Sequence, residues 1–199
     1  MTDASGDINY EIFATGIGPC GVAWRGVQIV AATLPEATDD ETAARLARRC
    51  GGSRAAHLPA WVRGVIDDVT SLMADGTKDL THIPCDLAGL DPFRISVYEL
   101  TRAVPPGETT TYGEIAEKLG NKRFAQAVGQ AMGANPIPII IPCHRVMGAN
   151  GKLTGFSANG GVATKLRLLD LERARLGGND SLFGHLPLAM KPGRNVPGR

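Results

Sequence analysis

The sequence predicts an α+β chain in two parts, a small strand-bearing N-terminal part followed by a helical one. Three observations carry this. Residues 8–13 alternate, and residues 21–33 are rich in Val, Ile and Ala around a Trp24-Arg25-Gly26 turn, the pattern of a short β-meander. From Trp61 to Met73 apolar residues recur at helical spacing, and beyond residue 90 the texture stays helical. Residues 77–90 between them lack periodicity and carry Pro84 and Gly89. The expected organisation is therefore an N-terminal α/β domain over 1–88, a C-terminal domain over 89–176, and a disordered tail over 177–199, where Gly and Pro recur.

Each element has its own punctuation. Asp39 or Asp40 can cap a short helix that ends at Gly51-Gly52. Pro59 opens the next helix, whose stripe of Trp61, Val62, Val65, Ile66, Val69, Leu72 and Met73 reads as core, and Asp75-Gly76 stops it. Pro92 opens a segment with Phe93, Val97 and Leu100 on one side, closed by Pro105-Pro106-Gly107. Thr111-Tyr112-Gly113-Glu114 is a capping box, in which the Thr hydroxyl and the Glu carboxylate each satisfy a backbone donor at a helix start. Ile115, Ala116 and Leu119 continue that helix, and Gly120 ends it. Asn121 begins another, carrying Phe124, Ala125, Val128, Ala131 and Met132 and stopping near Gly133. Two short helices so joined form a helix-turn-helix pattern. A last helix is expected over residues 162–175.

Composition narrows the function classes. A chain of 199 residues with 43% hydrophobic residues can bury a real core. Twenty-one basic residues against 20 acidic ones leave a formal charge of +1, so any contact with nucleic acid must be local and not a matter of bulk charge. The start, MTDASGDINY, carries acids and no apolar stretch, and no segment approaches membrane-spanning length. The cysteines Cys20, Cys50, Cys85 and Cys143 are scattered and read as reduced thiols, so a cytoplasmic protein is expected. His82-x-x-Cys85, or Cys50 with His57, lacks a four-ligand spacing, and no metal is assigned.

Two segments carry chemistry. In the second helix of the pair, Gln126, Ala127, Gly129, Gln130, Ala131 and Gly133 are small or uncharged. Either the helix packs closely on a neighbour, or it is slim enough to enter a DNA groove, with Lys122 and Arg123 at its start on phosphates. In IIIPCHRVMGANGKLTGF, residues 139–156, an apolar run is stopped by Pro142, which has no N–H to give, and Cys143, His144 and Arg145 follow side by side. A cysteine at such a stop is expected at the edge of the core, beside groups that favour thiolate, and to be the most reactive of the four thiols.

These residues resemble a known active-site signature. Pro142-Cys143-His144-Arg145-Val146, preceded by Asn135-Pro136-Ile137-Pro138 and followed by Gly151-Lys152-Leu153-Thr154-Gly155-Phe156, is similar to that of the O6-alkylguanine-DNA alkyltransferases, or methylated-DNA–protein-cysteine methyltransferases. The likeness extends through Pro106-Gly107-Glu108-Thr109 and the capping box upstream, and to Lys165, Leu168-Leu169 and Glu172 downstream, covering residues 90–175 densely. The resemblance implies a ribonuclease-H-like N-terminal domain and a winged-helix-like DNA-binding domain that houses the cysteine. It implies a monomer that takes an alkyl group from guanine in double-stranded DNA onto Cys143, irreversibly and without a cofactor. Thiolate suits that attack on a saturated carbon. His144 would take the thiol proton, through a water because adjacent side chains diverge, and Glu172 would orient His144. Tyr112 would sit against a flipped base, Asn135 would hold the turn before the cysteine, and Val146 and Ser157 would meet the guanine edge. Lys122, Arg123, Ala127, Gly129 and Gln130 would face DNA. Arg145 would brace the fold by ion pairing.

The chain departs from the family pattern in three places. Gln126 stands where an arginine usually fills the hole left by the flipped base, and Gln lacks the planar charged fork. Phe93-Arg94-Ile95-Ser96-Val97-Tyr98 replaces F-Q-x-x-V-W, and the loop from Ser157 to Gly161 is longer by two residues. Three readings stay open at this level: repair of alkylated DNA, use of the thiol on a small-molecule substrate, and non-enzymatic lesion binding.

Overall fold

The computed structural model describes residues 6–174. Strands β1 (Asn9–Thr15), β2 (Gly18–Arg25) and β3 (Gln28–Thr33) form the meander, antiparallel from Asn9↔Trp24 to Thr15↔Gly18 and from Gly21↔Thr33 to Arg25↔Gln28. Gly26, at φ +58°, makes the second hairpin turn, a conformation open to Gly at no steric cost. The sheet is one strand wider than the pattern showed, because the chain returns after α1 (Asp39–Cys50) as β4 (Ser53–Arg54), parallel to β1, giving the order β3-β2-β1-β4.

Helix α1 lies on one face of this sheet, where Leu46 meets Ala23 and Ala31. It approaches so closely that a Cβ on Gly21 would stand 2.7 Å from the Leu46 side chain. The N-cap is Thr38, not Asp39 or Asp40: its hydroxyl accepts from the Glu41 N–H at 3.1 Å, leaving Asp39, Asp40 and Glu41 in the first turn, where the helix dipole favours them. On the other face Cys20, Val22 and Trp24 join α2 (Ala60–Asp75), whose Val62, Val65, Val69, Leu72 and Met73 are buried as the periodicity predicts.

The helical part begins with α3 (Pro92–Arg102), capped by Asp91 with Pro92 in the first turn. Its buried residues are Val97, Tyr98 and Thr101, while Phe93 and Leu100 pack at the margin. A two-residue strand, β5 (Thr110–Thr111), leads into α4 (Tyr112–Lys118), and the capping box forms as predicted, with Glu114 N–H on Thr111 Oγ1 at 3.1 Å and Thr111 N–H on Glu114 Oε2 at 2.7 Å. The next helix does not begin at Asn121 as one piece. Asn121 caps a 3-10 turn, Lys122–Phe124, and the α-helix proper is α5 (Ala125–Gly133). After the cysteine segment, β6 (Val146–Met147) pairs in parallel with β5, and α6 (Val162–Leu171) closes the fold. That helix stops short of the expected residue 175, since Glu172 is its C-cap and Arg173 has φ +50°; Arg175 and the tail over 177–199 lie outside the described residues.

A single apolar cluster runs from Val22 and Trp24 through Leu72 to Ile115, Val128, Ile141, Val146 and Leu168, so the small sheet domain and the helical domain share one core. The two are also joined by backbone: Ala32 on β3 donates to the Pro136 carbonyl at 3.1 Å. At Gly76, φ +73°, the end of α2 abuts the end of α6, and a Cβ there would fall 2.0 Å from the Leu171 carbonyl oxygen. Gly76→Ala is therefore expected to cost more than about 2 kcal/mol, from left-handed strain plus a backbone clash. Gly64→Ala in the exposed middle of α2, where nothing lies within 4 Å, is expected to gain about 0.5–1 kcal/mol. Urea midpoints of the two variants and wild type check both signs.

Candidate active site

The cysteine is presented by a tight turn that cannot form regular structure. Pro136, Pro138 and Pro142 each remove a backbone donor, and the missing bonds are replaced from the side. Asn135 spans the turn: its Nδ2 donates to the Ile141 carbonyl at 2.8 Å and its Oδ1 accepts from the Ile137 N–H at 3.0 Å. Between them Ile139 adopts φ +77°, a left-handed conformation that a β-branched residue takes only at a cost of roughly 1–3 kcal/mol. Ile139 is buried, and the surrounding core holds it there. The chain then enters a 3-10 turn, Cys143–Arg145, which points consecutive side chains in different directions.

His144 and Arg145 converge on Glu172. Glu172 Oε1 is 2.9 Å from His144 Nε2 and accepts from Arg145 Nη2 at 2.7 Å, while Oε2 accepts from Arg145 Nε at 2.8 Å. Arg145 Nη1 also donates to the Val104 carbonyl at 2.6 Å, so the bracing role expected of Arg145 is present. All three side chains are buried. Burial alone would raise the Glu172 pKa; His144 and Arg145 reverse this and hold it at about 2. Burial pulls the His144 pKa below its ordinary value, and the Glu172 charge only partly restores it, so His144 rests neutral near pH 7. A neutral imidazole facing a carboxylate through Nε2 must carry its proton there. Nδ1 is then the free acceptor, and it is buried with no hydrogen-bond partner among the described residues.

Cys143 faces the other way, into a pocket between the two domains. Thr33 and Leu34 from the end of β3 and Arg45 and Arg49 from α1 form one side, and Met132, Asn135 and the loop from Phe156 to Asn159 form the other. Two expectations for Cys143 need correction. It is buried, at 6% exposure, and not at the edge of the core. Burial also raises its thiol pKa, against the pull of the Asn135 side chain and the charges of Lys165 and Arg49, so the resting group is the thiol. Burial pushes Cys20 and Cys85 up as well, to about 12 and about 11.

The remaining predicted residues fall in two places. Ser157 lies in the pocket wall, exposed, with its carbonyl accepting from Arg45 Nη2 at 3.3 Å. Val146 is buried on β6 behind the pocket, where its carbonyl accepts from Lys165 Nζ at 2.6 Å. Tyr112 is half-buried at the start of α4, taking a hydrogen bond from Thr154 Oγ1 at 3.1 Å, with its ring 3.9 Å from where a Cβ on Gly129 would stand. Neither Tyr112 nor Val146 lines the pocket that holds Cys143. Lys122, Arg123, Gln126 and Gln130 are exposed and Ala127 and Gly129 partly so, along one continuous stretch of the 3-10 turn and α5. Lys122 is paired there with Glu117 at 3.2 Å. Among the described residues no group of three or more His, Cys, Asp or Glu could hold a metal ion, and His82 is paired with Asp68 at 2.8 Å.

Residues 92–174 match the family model described as 6-O-methylguanine DNA methyltransferase, DNA binding domain. The methylated-DNA–protein-cysteine methyltransferase of Mycobacterium tuberculosis (strain ATCC 25618 / H37Rv) is 35% identical over 176 residues, 88% of this chain and 99% of that protein. The chain belongs to the methylated-DNA–protein-cysteine methyltransferase family. Solved structures agree. Mycobacterium tuberculosis OGT in complex with DNA superposes with a TM-score of 0.66 at 34% identity, over 82% of this chain and 92% of that one. The O6-methylguanine-DNA methyltransferase of Pyrococcus kodakaraensis strain KOD1 gives 0.61 at 26% identity, over 83% and 98%.

Three side chains of this methyltransferase-family site were not singled out as site residues by sequence. Lys165 is fully buried beside Val146, and burial lowers its pKa to about 8 while the Cys143 thiol pulls the other way. Its signal was present: Lys165 precedes Leu168 and Leu169 by three and four residues and so shares their apolar face. Arg45 and Arg49 had no such signal, because nothing in a helix of charged residues tells which distant turn it will meet. The Glu172 cluster makes a pH prediction. Its carboxyl has a depressed folded pKa, so its contribution is complete above about pH 4.5 and is lost as pH falls through about 2, amounting to about 3 kcal/mol. Urea midpoints between pH 6 and pH 2.5 are expected to fall steeply for wild type and less so for Glu172→Gln, which starts lower because Arg145 is left unpaired.

Proposed function

We propose that this chain repairs double-stranded DNA by moving a methyl or other alkyl group from O6 of guanine to Cys143 Sγ, once per molecule. The observation that carries the reading is the arrangement of a pocketed thiol next to a neutral, buried histidine whose remaining acceptor, Nδ1, is backed by a charged Glu172. Family membership supplies the substrate class.

The chemistry follows from the charges. The thiol proton passes to His144 Nδ1, through a water, and the imidazolium so formed is stabilised by Glu172, which Arg145 keeps ionised. The thiolate attacks the alkyl carbon, a C–S bond forms as the C–O6 bond breaks, and the electron pair stays with the guanine oxygen. The base takes up one proton in place of the alkyl group. A thioether is a poor leaving group, so nothing regenerates the thiol, and no cofactor enters. Because a burial-raised thiol pKa makes thiolate scarce at rest, the proton transfer to His144 is the activating event.

The target atom sits inside the base stack, so the nucleotide must leave it. In this reading α5 enters a groove with Ala127, Gly129 and Gln130 against the DNA, Lys122 and Arg123 hold phosphates, and Gln126 occupies the place of the extruded base. Tyr112 meets the flipped nucleotide, Val146 and Ser157 address the guanine edge, and Asn135 keeps the cysteine turn in shape. The domain boundary at 88/89, action as a monomer and a cytoplasmic location belong to the same reading; no helix among the described residues is long and apolar enough to cross a membrane.

Incubated with a duplex containing O6-methylguanine, the protein is expected to gain one methyl group by intact mass, mapped to Cys143. Cys143→Ala should gain none, and His144→Ala should slow the gain by a factor on the order of 10²–10⁴. Gln126→Arg should accelerate it, since a planar cation holds the extrahelical state better. No transfer by wild type or Gln126→Arg, or a methyl group landing on Cys143→Ala, would remove this function. Separately, reversing Lys122 and Arg123 to Glu should weaken duplex binding and flatten its salt dependence by about two units of slope. Titrations from low to high salt read this directly, and an unchanged slope would place the DNA elsewhere.

A further inference from the structure

Helix α1 belongs to the N-terminal domain, outside the residues 92–174 that match the family model, yet two of its arginines reach the acceptor pocket. Arg45 and Arg49 stand four residues apart and so project from one face of the helix. Each meets a different wall of the pocket. Arg49 Nη2 donates to the backbone carbonyl of Asn135, the residue whose side chain ties the cysteine turn together. Arg45 Nη2 donates to the Ser157 carbonyl at 3.3 Å, on the loop across the pocket, while its Nη1 is ion-paired to Glu36, another pocket residue.

We infer that α1 is a working wall of the acceptor site: Arg49 is a positioning residue that fixes the Asn135 turn and lends its charge to the Cys143 thiolate, and Arg45 pins the Ser157 loop over it. The charge has a direct consequence. Cys143 is faced by Asn135 within its own turn, by Lys165 from α6, by Arg49 from α1 and by the Tyr98 hydroxyl from α3. The cations on two of these elements act against the effect of burial, and Glu36, which would oppose them, is engaged by Arg45. Arg145 is committed to Glu172. Removing Arg49 leaves Lys165 as the cation that faces the thiol and frees the Asn135 carbonyl at once.

The inference rests on Cys143 being the alkyl acceptor, and the test separates the two. The pH dependence of Cys143 labelling by iodoacetamide, in which a C–S bond forms as iodide leaves, is followed by peptide mass spectrometry on the full chain without DNA. Cys20, Cys50 and Cys85 serve as internal references. Arg49→Gln is expected to move the labelling midpoint of Cys143 upward by about 0.5–1 pH unit and to slow labelling at neutral pH by about three- to tenfold, following the thiolate fraction. Arg49→Lys keeps the charge and is expected to hold the midpoint near that of wild type. Arg49 is exposed, so these changes leave the core intact; should Arg49→Gln not fold, Arg49→Met is judged by the same criterion. Arg45→Gln is expected to leave the midpoint in place but to slow methyl transfer from an O6-methylguanine duplex several-fold. An unchanged midpoint in the uncharged Arg49 variants, or an Arg49→Lys midpoint raised as far as theirs, overturns the role of the charge. Transfer at the wild-type rate by Arg45→Gln overturns the role of the loop contact. The Arg49 result does not depend on whether DNA repair is the protein's function, since the labelling arm contains no DNA; the Arg45 arm is read against wild type, whose own transfer tests that function.

Discussion

Removing a carboxylate from water is among the costlier acts in folding, and Glu172 is a carboxylate at 6% exposure. Its charge survives because every lone pair that matters is engaged: Arg145 supplies a two-pronged guanidinium, and His144 supplies the third donor. The consequence is structural before it is chemical. Arg145 and His144 lie on the cysteine turn, Glu172 ends α6, and the same guanidinium reaches the Val104 carbonyl beyond α3. Three separated stretches of chain are thereby fixed to one anion. Breaking either partner leaves an unpaired buried charge, so the cysteine turn cannot drift from α6 without a penalty of several kcal/mol.

Charge counting inside the site explains why a raised thiol pKa is compatible with a nucleophile. Arg145 and Glu172 cancel, and His144 is neutral at rest, so the buried group is left with Lys165 as an uncompensated cation. The lowered pKa of Lys165, about 8, reflects that cost. A thiolate at Cys143 would balance it. Burial therefore penalises the thiolate as an isolated ion, while the site as a whole lacks one negative charge that the thiolate supplies. In the proposed reaction, moving the thiol proton to His144 would create the anion near Lys165 and a cation against Glu172 in the same step, each beside an existing opposite charge.

The fold was legible where local rules and burial agreed. The meander, the α2 stripe, the Thr111–Glu114 capping box and the short helix pair were all readable, because periodicity and caps act over a few residues. Boundaries slipped where two candidates competed for one role: Thr38 outcompeted Asp39 and Asp40 as a cap, and a 3-10 turn preceded α5 because Asn121 caps Arg123 directly. At the site, the Cys143, His144 and Glu172 set and the Asn135 turn could be named from their resemblance to a known signature. What local rules could not give was the solvation of the site. A polar tripeptide after a proline reads as partly exposed, yet here the sheet domain closes over it, and burial reverses the expected direction of the thiol's shift. Arg45 and Arg49 were out of reach for the same reason, since their partners lie 112 and 86 residues away.

That closure gives the N-terminal domain a mechanical part in the site. The edge of β3 is bonded to Pro136, Gly76 sits under the Leu171 carbonyl, and Arg167 of α6 returns the contact by donating to the Gly16 carbonyl at 2.8 Å. These contacts flank the strained Ile139 and the buried ion cluster on both sides. A left-handed isoleucine and a desolvated carboxylate are each tolerable only in surroundings that do not relax. The sheet domain buries Ile137, Ile140 and Ile141 in a common core with Val22 and Leu72. The rigidity that keeps the thiol aimed into its pocket is therefore a property of the joined domains, and the chemistry read in the C-terminal half depends on a surface contributed by the other.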